Sequence, residues 1–286
     1  MDSPLISDQE FGLFQRLIYR LAGISMADSK KVLLVGRLGK RLRHYGLSSF
    51  GEYYRMLAAG EHPEELQMMV DLLTTNETYF FREPAHFEFL AEFAADRRGR
   101  PFRVWSGACS SGEEPYTIAM VLAETLGLSA SWEIVGSDIS LTVLERARAG
   151  LYPMERGSGI DLPLLRKYCL KGVRGQSGQF LVDRPLRERV TFRQLNLVDL
   201  EARDLGQFDM IFLRNVMIYF DNDTKRKVVT NMLPHLRDDG VFIVGHSESL
   251  NGLTDDLVSI RPTLYCRPAF RTNRAVVRQR GASRTA

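Results

Sequence analysis

The segment FRVWSGACSSGEEPYTIAMVLAETLGL, residues 102–128, decides the fold class of this chain. Its apolar start predicts a short buried strand, and the glycine-containing turn that follows ends at Gly112. Beyond the turn, Pro115 stands at the start of an amphipathic pattern, which predicts a helix. The segment therefore predicts a strand, a glycine turn and a helix, the first unit of a parallel α/β sheet.

The turn favours a ligand that carries no phosphate. A helix start attracts anions, but Glu113 and Glu114 already occupy this one and would repel a pyrophosphate. Gly107 and Gly112 are also too far apart for a dinucleotide fingerprint. S-adenosylmethionine fits better, because it carries an ammonium, a sulfonium and a ribose but no phosphate.

The next predicted strand supports a nucleoside site. It lies in WEIVGSDIS, residues 132–140, and ends in Asp138, where an acidic side chain is placed to accept both ribose hydroxyls. Each feature alone has a plain structural explanation, since the turn can serve packing and Asp138 can cap the following helix. Their order and spacing together favour the nucleoside site.

Length, composition and charge limit the number of domains, the location and the ligands that we expect for this protein. A chain of 286 residues with 44% hydrophobic content can bury one large core and a smaller one, so we expect two domains. No run of eighteen apolar residues and no signal-peptide pattern occurs, so we expect a cytoplasmic protein without a membrane segment. The three cysteines show no metal-binding spacing, and no metal is expected. A net charge of +3 does not imply nucleic acid.

Residues 1–73 are predicted to form a small all-helical domain. Capping boxes at residues 7–10 and 49–52 and Pro63 mark helix starts. The second helix is strongly basic without acidic residues to balance it, which favours an acidic partner over a merely solvated face. Its cations are Lys30, Lys31, Arg37, Lys40, Arg41 and Arg43.

The rest of the chain predicts alternating strands and helices with one interruption. Residues 74–101 are expected to be a linker and a helix, and residues 102–270 an α/β domain. A glycine-rich stretch at about 169–193 predicts a small antiparallel excursion, which is either a recognition element or a structural hairpin. The basic tail, residues 271–286, is expected to be disordered.

Several strings together resemble one known family, the CheR-type chemotaxis receptor glutamate methyltransferases. They are LLTTNETYFFREP, VWSGACSSGEEPYTIAM, SDIS, FRQLNL and FLRNVMIYF. The resemblance extends from the N-terminal helices to about Phe270 and leaves out the basic tail. It implies a doubly wound S-adenosylmethionine-dependent methyltransferase domain with an inserted antiparallel β-subdomain, preceded by an all-helical domain.

The same resemblance implies roles for individual residues. Arg82 and Tyr219 would line the methyl-transfer site. The cofactor-binding residues would be Asn76, Thr78 and Arg82 at the amino-acid end, Glu113 at the ammonium, Asp138 at the ribose, Asn196 and Leu197 at the adenine, and Arg214 and Asn215 elsewhere in the pocket.

The implied activity is methylation of glutamate side chains on the cytoplasmic helices of chemoreceptors. The basic second helix would dock the receptor, and in some members the β-subdomain binds a tethering peptide at the receptor C-terminus.

We expect a monomer that binds no nucleic acid. Three alternatives stay open: a nicotinamide oxidoreductase, a nucleic-acid methyltransferase and a non-catalytic receptor adaptor. A hydrolase built on His246, Ser247 and Glu248 is disfavoured, because no GxSxG turn precedes them.

Overall fold

The computed structural model describes residues 5–200 and 204–271, so the predicted tail lies almost wholly outside the described residues. The N-terminal part contains a bundle of helices whose first member begins at a capping box, since Ser7 and Glu10 hydrogen-bond reciprocally. The bundle helices are α1 (Asp8–Ala22), α2 (Lys31–Tyr45), α3 (Phe50–Ala58) and α4 (Pro63–Leu73).

The bundle has its own apolar core. Phe14 is fully buried and stacks on Tyr53 with ring centroids 6.1 Å apart, while Phe50 meets its edge at 6.3 Å. Leu34, Leu38 and Leu42 of α2 also enter this core, as the spacing of one residue per helical turn requires. The all-helical prediction for this part of the chain is confirmed.

Seven strands that follow the bundle form one sheet. In chain order they are β1 (Phe102–Gly107), β2 (Trp132–Asp138), β6 (Val190–Gln194), β7 (Phe208–Leu213), β8 (Leu236–Val244), β9 (Val258–Arg261) and β10 (Leu264–Cys266). Their order across the sheet is β6-β2-β1-β7-β8-β10-β9. Strands β6, β2, β1, β7 and β8 are parallel, and β10 runs antiparallel to both of its neighbours.

Both faces of this sheet are covered, as in a doubly wound fold. Along β7, Met210 and Phe212 enter one apolar cluster, whereas Ile211 and Leu213 enter the other, because successive side chains point to opposite faces. The covering helices are α5 (Ala85–Ala95) and α6 (Glu113–Leu126) on the first face, α10 (Asn222–Met232) on the second, and α7 (Leu141–Ala149) beside β6.

A separate antiparallel sheet is inserted between α7 and β6. It contains β3 (Leu151–Pro153), β4 (Cys169–Lys171) and β5 (Gln179–Val182), with β5 in the centre. Helix α8 (Leu162–Tyr168) precedes β4, and the short α9 (Arg184–Arg187) follows β5. The inserted sheet was predicted, but its predicted span of about 169–193 is wrong at both ends. The sheet begins earlier, at β3, and Val190–Gln194 instead pairs with β2 in the main sheet.

Candidate active site

A cavity lies at the carboxyl ends of β1, β2 and β7, where the bundle meets the sheet. Parallel strands end at one edge, so the polar residues that follow them converge there. Of the residues predicted to act at the site, those that line this cavity are Asn76, Thr78, Arg82, Asp138, Asn196, Leu197, Arg214, Asn215 and Tyr219.

The turn after β1 is held in a tight conformation by a glycine. Gly112 has a φ of +96°, and a Cβ there would lie 2.9 Å from both the Cβ of Ala147 and the hydroxyl of Tyr152. Ala108 and Ser110 in the same turn also have positive φ values. Strain of this kind costs free energy; at Gly112 it lets the turn pack against Ala147 and Tyr152, and it places Ala108 and Ser110 on the cavity wall.

The turn and β2 meet at Asp138. Its Oδ2 accepts from the backbone N–H of Ser110 and its Oδ1 from that of Ser140, both at 2.9 Å. The residue is 6% exposed, and burial raises the pKa of its carboxyl group. The carboxylate thus stands at a fixed position on the cavity wall, with lone pairs left for the hydroxyls of a ribose.

The predicted contact between Glu113 and the ammonium of the cofactor stays a prediction, and other residues of the chain engage Glu113 in this structure. This residue is 1% exposed and does not line the cavity; it accepts from Ser111 Oγ at 2.7 Å and from Arg156 at 3.1 Å. Its neighbour Glu114 lines the cavity instead and accepts from Ser106 Oγ at 2.7 Å. Adjacent helical residues point about 100° apart, so only one of the two glutamates can face the ligand.

Arg214 joins two carboxylates at the back of the cavity. Its Nη1 lies 2.7 Å from Glu114 Oε2 and its Nη2 lies 3.0 Å from Glu83 Oε2. Glu83 also accepts from Asn215 Nδ2 at 3.1 Å. Burial opposes ionisation of Glu83, but the hydrogen bond from Asn215 and the charge of Arg214 outweigh it and lower the pKa of Glu83. The Arg214 side chain is thereby fixed at the cavity wall.

Arg82 and Tyr219, the two residues predicted to line the reaction site, face the same cavity. Arg82 donates to the carbonyl oxygen of Glu77 at 3.0 Å, and its guanidinium carbon lies 5.6 Å from the ring centroid of Tyr79, which is 50% exposed. The Tyr219 carbonyl oxygen accepts from the N–H of Ser25 at 2.8 Å. Both residues therefore border the cavity.

The bundle supplies part of the cavity wall, which the sequence did not predict. Ala22 and Ile24 line the cavity. Asn196 Nδ2 donates to the carbonyl oxygen of Leu21 at 2.8 Å, so this side chain holds the bundle in place beside its predicted contact with an adenine. Leu197, 8% exposed, adds an apolar surface suited to a base.

Three of the predicted docking cations have partners within the bundle. Arg41 donates through Nε to Glu65 Oε1 at 2.8 Å and pairs with the second oxygen through Nη2. Glu65 is 2% exposed and also accepts from the hydroxyls of Tyr53 and Tyr45, at 2.6 and 3.1 Å. Glu65 therefore balances the charge of Arg41, which the sequence did not predict, and the role of Arg41 in receptor docking stays a prediction.

Arg37 also serves the bundle. Its Nη1 donates to the carbonyl oxygens at the end of α4, with the shortest distance, 2.9 Å, to that of Thr74. Lys31 pairs with Asp8 at 2.7 Å, and both ends of that pair reach solvent. The basic residues that remain exposed are Lys30, Lys40 and Arg43.

Fold and site together define a nucleoside-binding transferase of the S-adenosylmethionine class. Residues 76–266 match the family model described as "CheR methyltransferase, SAM binding domain", and residues 9–74 match "CheR methyltransferase, all-alpha domain". The chain therefore belongs to the CheR methyltransferase family, and its cofactor is S-adenosylmethionine. Among the described helices, none combines the length and the apolar content needed to cross a bilayer.

Curated relatives cover almost the whole chain. "Chemotaxis protein methyltransferase 2" of Pseudomonas aeruginosa is 43% identical over 273 residues, which is 92% of this chain and 97% of that protein. "Chemotaxis protein methyltransferase" of Escherichia coli is 43% identical over 261 residues, 91% of each chain. The protein of that name from Borreliella burgdorferi is 36% identical over 271 residues, 91% of this chain and 94% of that one.

The cavity suits this cofactor. Asp138 would offer a carboxylate to the ribose, Leu197 an apolar surface to the adenine, and Glu114 and Asn76 polar groups to the amino-acid end. The carboxylates also suit the positive charges of an ammonium and a sulfonium. The cofactor supplies the methyl group as an electrophile, and the chain's residues hold and orient the two reactants.

Proposed function

We propose that this protein methylates glutamate side chains on the cytoplasmic helices of chemoreceptors and so forms the methyl esters used in chemotactic adaptation. The observation that carries the proposal is that Arg82 and Tyr219 line the same cavity as the ribose-binding candidate Asp138. The names of the relatives, which are chemotaxis protein methyltransferases, supply the biological setting. We further propose that the protein acts in the cytoplasm as a monomer.

The cavity has the chemistry that such a reaction needs. A glutamate side chain is ionised at neutral pH and is itself the nucleophile, so no general base is required. Arg82 orients the incoming carboxylate through its guanidinium, and Tyr219 lines the methyl-transfer site with it. Because the turn after β1 and the bundle segment at Ile24 cover the cavity, water that would solvate the carboxylate is displaced.

Receptor docking rests on the exposed part of α2. Lys30, Lys40 and Arg43 present positive charge to solvent, which suits the acidic surface of a receptor helix. Raising the salt concentration should therefore weaken receptor binding. For a receptor C-terminal tethering peptide we propose the small sheet, whose outer strands β3 and β4 offer free edges to an extended chain.

Methyl transfer to a purified receptor cytoplasmic fragment tests the proposal. We expect radiolabel from S-adenosylmethionine to enter the fragment, to be released as methanol at high pH as an ester requires, and to map by mass spectrometry to glutamate. The Tyr219→Phe variant should lose turnover while still binding S-adenosylhomocysteine, and Arg82→Ala should lose turnover as well. Base-stable label, or label on lysine, would refute glutamate esterification.

The alternatives have separate tests. Calorimetry should show binding of S-adenosylhomocysteine and none of NADH, since the turn lacks a dinucleotide fingerprint. A gel shift with nucleic acid should show no tight complex, because the exposed cations of α2 have no interleaved aromatic platform. Receptor binding with no methyl transfer would instead establish the non-catalytic adaptor.

A further inference from the structure

A second polar cluster lies behind the cavity, at residues that the proposed reaction does not use directly. It joins Glu83, at the end of the linker, His86, in the first turn of α5, and His246, in the loop after β8. One ligand-type atom from each residue lies within 4.8 Å of the other two. The rings of the two histidines meet edge to face with centroids 5.2 Å apart.

The tautomer of His86 follows from its surroundings. Its Nε2 lies 2.7 Å from the hydroxyl oxygen of Thr263, and that hydroxyl donates its own proton to the carbonyl oxygen of Pro262 at 2.5 Å. With the hydroxyl oriented in this way, Thr263 Oγ1 accepts from Nε2–H, which favours the tautomer of His86 that carries its proton on Nε2. In a neutral imidazole the other nitrogen then carries a lone pair and no proton.

That lone pair faces another acceptor. His86 is 2% exposed, its Nδ1 is enclosed and makes no hydrogen bond, and the nearest carboxylate oxygen, Glu83 Oε2, lies 3.5 Å away. Two acceptors this close repel each other unless a cation lies between them. Buried polar atoms without a partner are rare in native proteins and call for such an explanation.

We propose that Glu83, His86 and His246 bind one divalent transition-metal ion of the zinc type. The ligands are Nδ1 of His86, an imidazole nitrogen of His246 and a carboxylate oxygen of Glu83. Two ligand atoms on one tetrahedral zinc ion lie roughly 3.3 Å apart, close to the separation of His86 Nδ1 and Glu83 Oε2. Two histidines and one glutamate form a known zinc ligand set that leaves a fourth position for water.

The local charge permits a cation here. Arg214 lies 3.0 Å from Glu83 Oε2, but Glu114 lies 2.7 Å from the same guanidinium, so two carboxylates face one positive charge. Each carboxylate oxygen has two lone pairs, so an ion at Glu83 Oε2 beside Arg214 takes the place of the 3.2 Å hydrogen bond from the backbone N–H of His246. His246 is exposed and gives an ion access from solvent, while the bond from His86 to Thr263 fixes the buried ring, as second-shell partners of metal-bound histidines do.

Metal binding by the full-length protein tests the proposal directly. After treatment with a chelator, the protein is titrated with Zn²⁺ by calorimetry and with Co²⁺ by absorption, since tetrahedral Co²⁺ gives intense visible bands. We expect one ion per chain and a rise in the melting temperature with Zn²⁺. Neither readout depends on methyl transfer, so failure of the proposed function and failure of the metal site are distinguishable.

The variants separate the proposed site from adventitious binding. His246→Gln, at an exposed position, should weaken Zn²⁺ binding at least tenfold and abolish the Co²⁺ bands. Thr263→Val, which removes the acceptor for His86, should weaken Zn²⁺ binding by about tenfold. The matched control is His62→Gln: its Nδ1 lies 3.5 Å from Glu64, as in the proposed site, but that pair belongs to no three-ligand cluster in the described residues.

Unchanged binding in the His62→Gln variant, together with loss in His246→Gln, supports the site. Absence of Co²⁺ bands in the wild type would overturn it, as would equal Zn²⁺ affinity in the wild type and the His246→Gln variant.

Discussion

Arg41 and Glu65 form a two-point ion pair inside the helical bundle, 24 residues apart in the sequence. The pair ties α2 to α4, and Glu65 is 2% exposed. Its position explains why a helix with many cations is not a uniform docking face. Substitutions along α2 must therefore separate docking from folding.

The first prediction compares Arg41 with Lys40. Arg41→Ala leaves the buried Glu65 without its cation, so we expect a loss of about 3 kcal/mol in the free energy of unfolding. Lys40→Ala removes an exposed charge and should change that free energy by less than about 0.5 kcal/mol. Urea unfolding followed by circular dichroism measures both.

The apparent KM for receptor methylation, measured on the same two variants, separates an effect on docking from an effect on stability. Lys40→Ala should raise the apparent KM for receptor at low salt without a loss of stability, because exposed charge steers association. A folded, stable Arg41→Ala protein would show that the pair with Glu65 is dispensable. An unchanged KM in Lys40→Ala would remove that residue from the docking surface.

A second prediction concerns the junction of bundle and sheet at Gly23. This residue ends α1 with a φ of +70°, and a Cβ there would lie 2.6 Å from Thr224 Cγ2 and 2.7 Å from Val198 Cγ2. Gly46 ends α2 with a φ of +66° and has nothing within 4 Å of such a Cβ. Alanine should cost either helix end about 1 kcal/mol, since both need the left-handed conformation.

Only the change at Gly23 should affect the cofactor. Gly23→Ala pushes the bundle away from the sheet, and the adjacent Ala22 and Ile24 line the cavity. We expect roughly tenfold weaker binding of S-adenosylhomocysteine, about 1.4 kcal/mol, by calorimetry, and unchanged binding in Gly46→Ala. Equal affinity in the two variants would show that the bundle does not help to close the site.

The third prediction tests the ribose contact at Asp138. Asp138→Asn removes the charge and places an amide where a carboxylate accepts from Ser110 and Ser140, so we expect S-adenosylhomocysteine to bind at least about tenfold more weakly. Asp161→Asn, an equal change at an exposed position, should leave the affinity unaltered. If both variants bind as the wild type does, the carboxylate does not contact the ribose.

The sequence predicted the cavity better than it predicted the side chains' partners. Asp138, Asn196 and Arg214 follow three parallel strands, and strand ends share one edge of a sheet, so local patterns suffice to bring them together. The choice between Glu113 and Glu114 depends on how α6 is rotated against the sheet. That rotation is set by packing with residues distant in the sequence.

Contacts between residues distant in the sequence explain the other differences between prediction and structure. Nothing near Arg41 indicates that Glu65 will neutralise it, because the two meet only when α2 packs on α4. The strand Val190–Gln194 has the same alternating pattern as the inserted sheet, and only its pairing with β2 assigns it to the main sheet. Local sequence fixes an element's type, whereas its neighbours come from the packed fold.

The last prediction concerns Glu248, a buried carboxylate that shapes the cavity without lining it. Its Oε2 accepts from the N–H groups of Asn215 at 2.8 Å and Gly245 at 2.7 Å, and its Oε1 accepts from that of Met217 at 2.8 Å. These bonds hold Asn215 at a φ of +58°, a conformation that costs free energy for any residue but glycine.

Glu248→Gln places an amide donor against one of these N–H groups. We therefore expect a loss of about 2 kcal/mol in the free energy of unfolding, since a buried donor goes unpaired. Binding of S-adenosylhomocysteine should weaken in the same variant because Asn215 lines the cavity, whereas Glu88→Gln, an exposed change on α5, should alter neither quantity. Wild-type affinity in a measurably destabilised Glu248→Gln protein would show that the loop after β7 keeps its shape without this carboxylate.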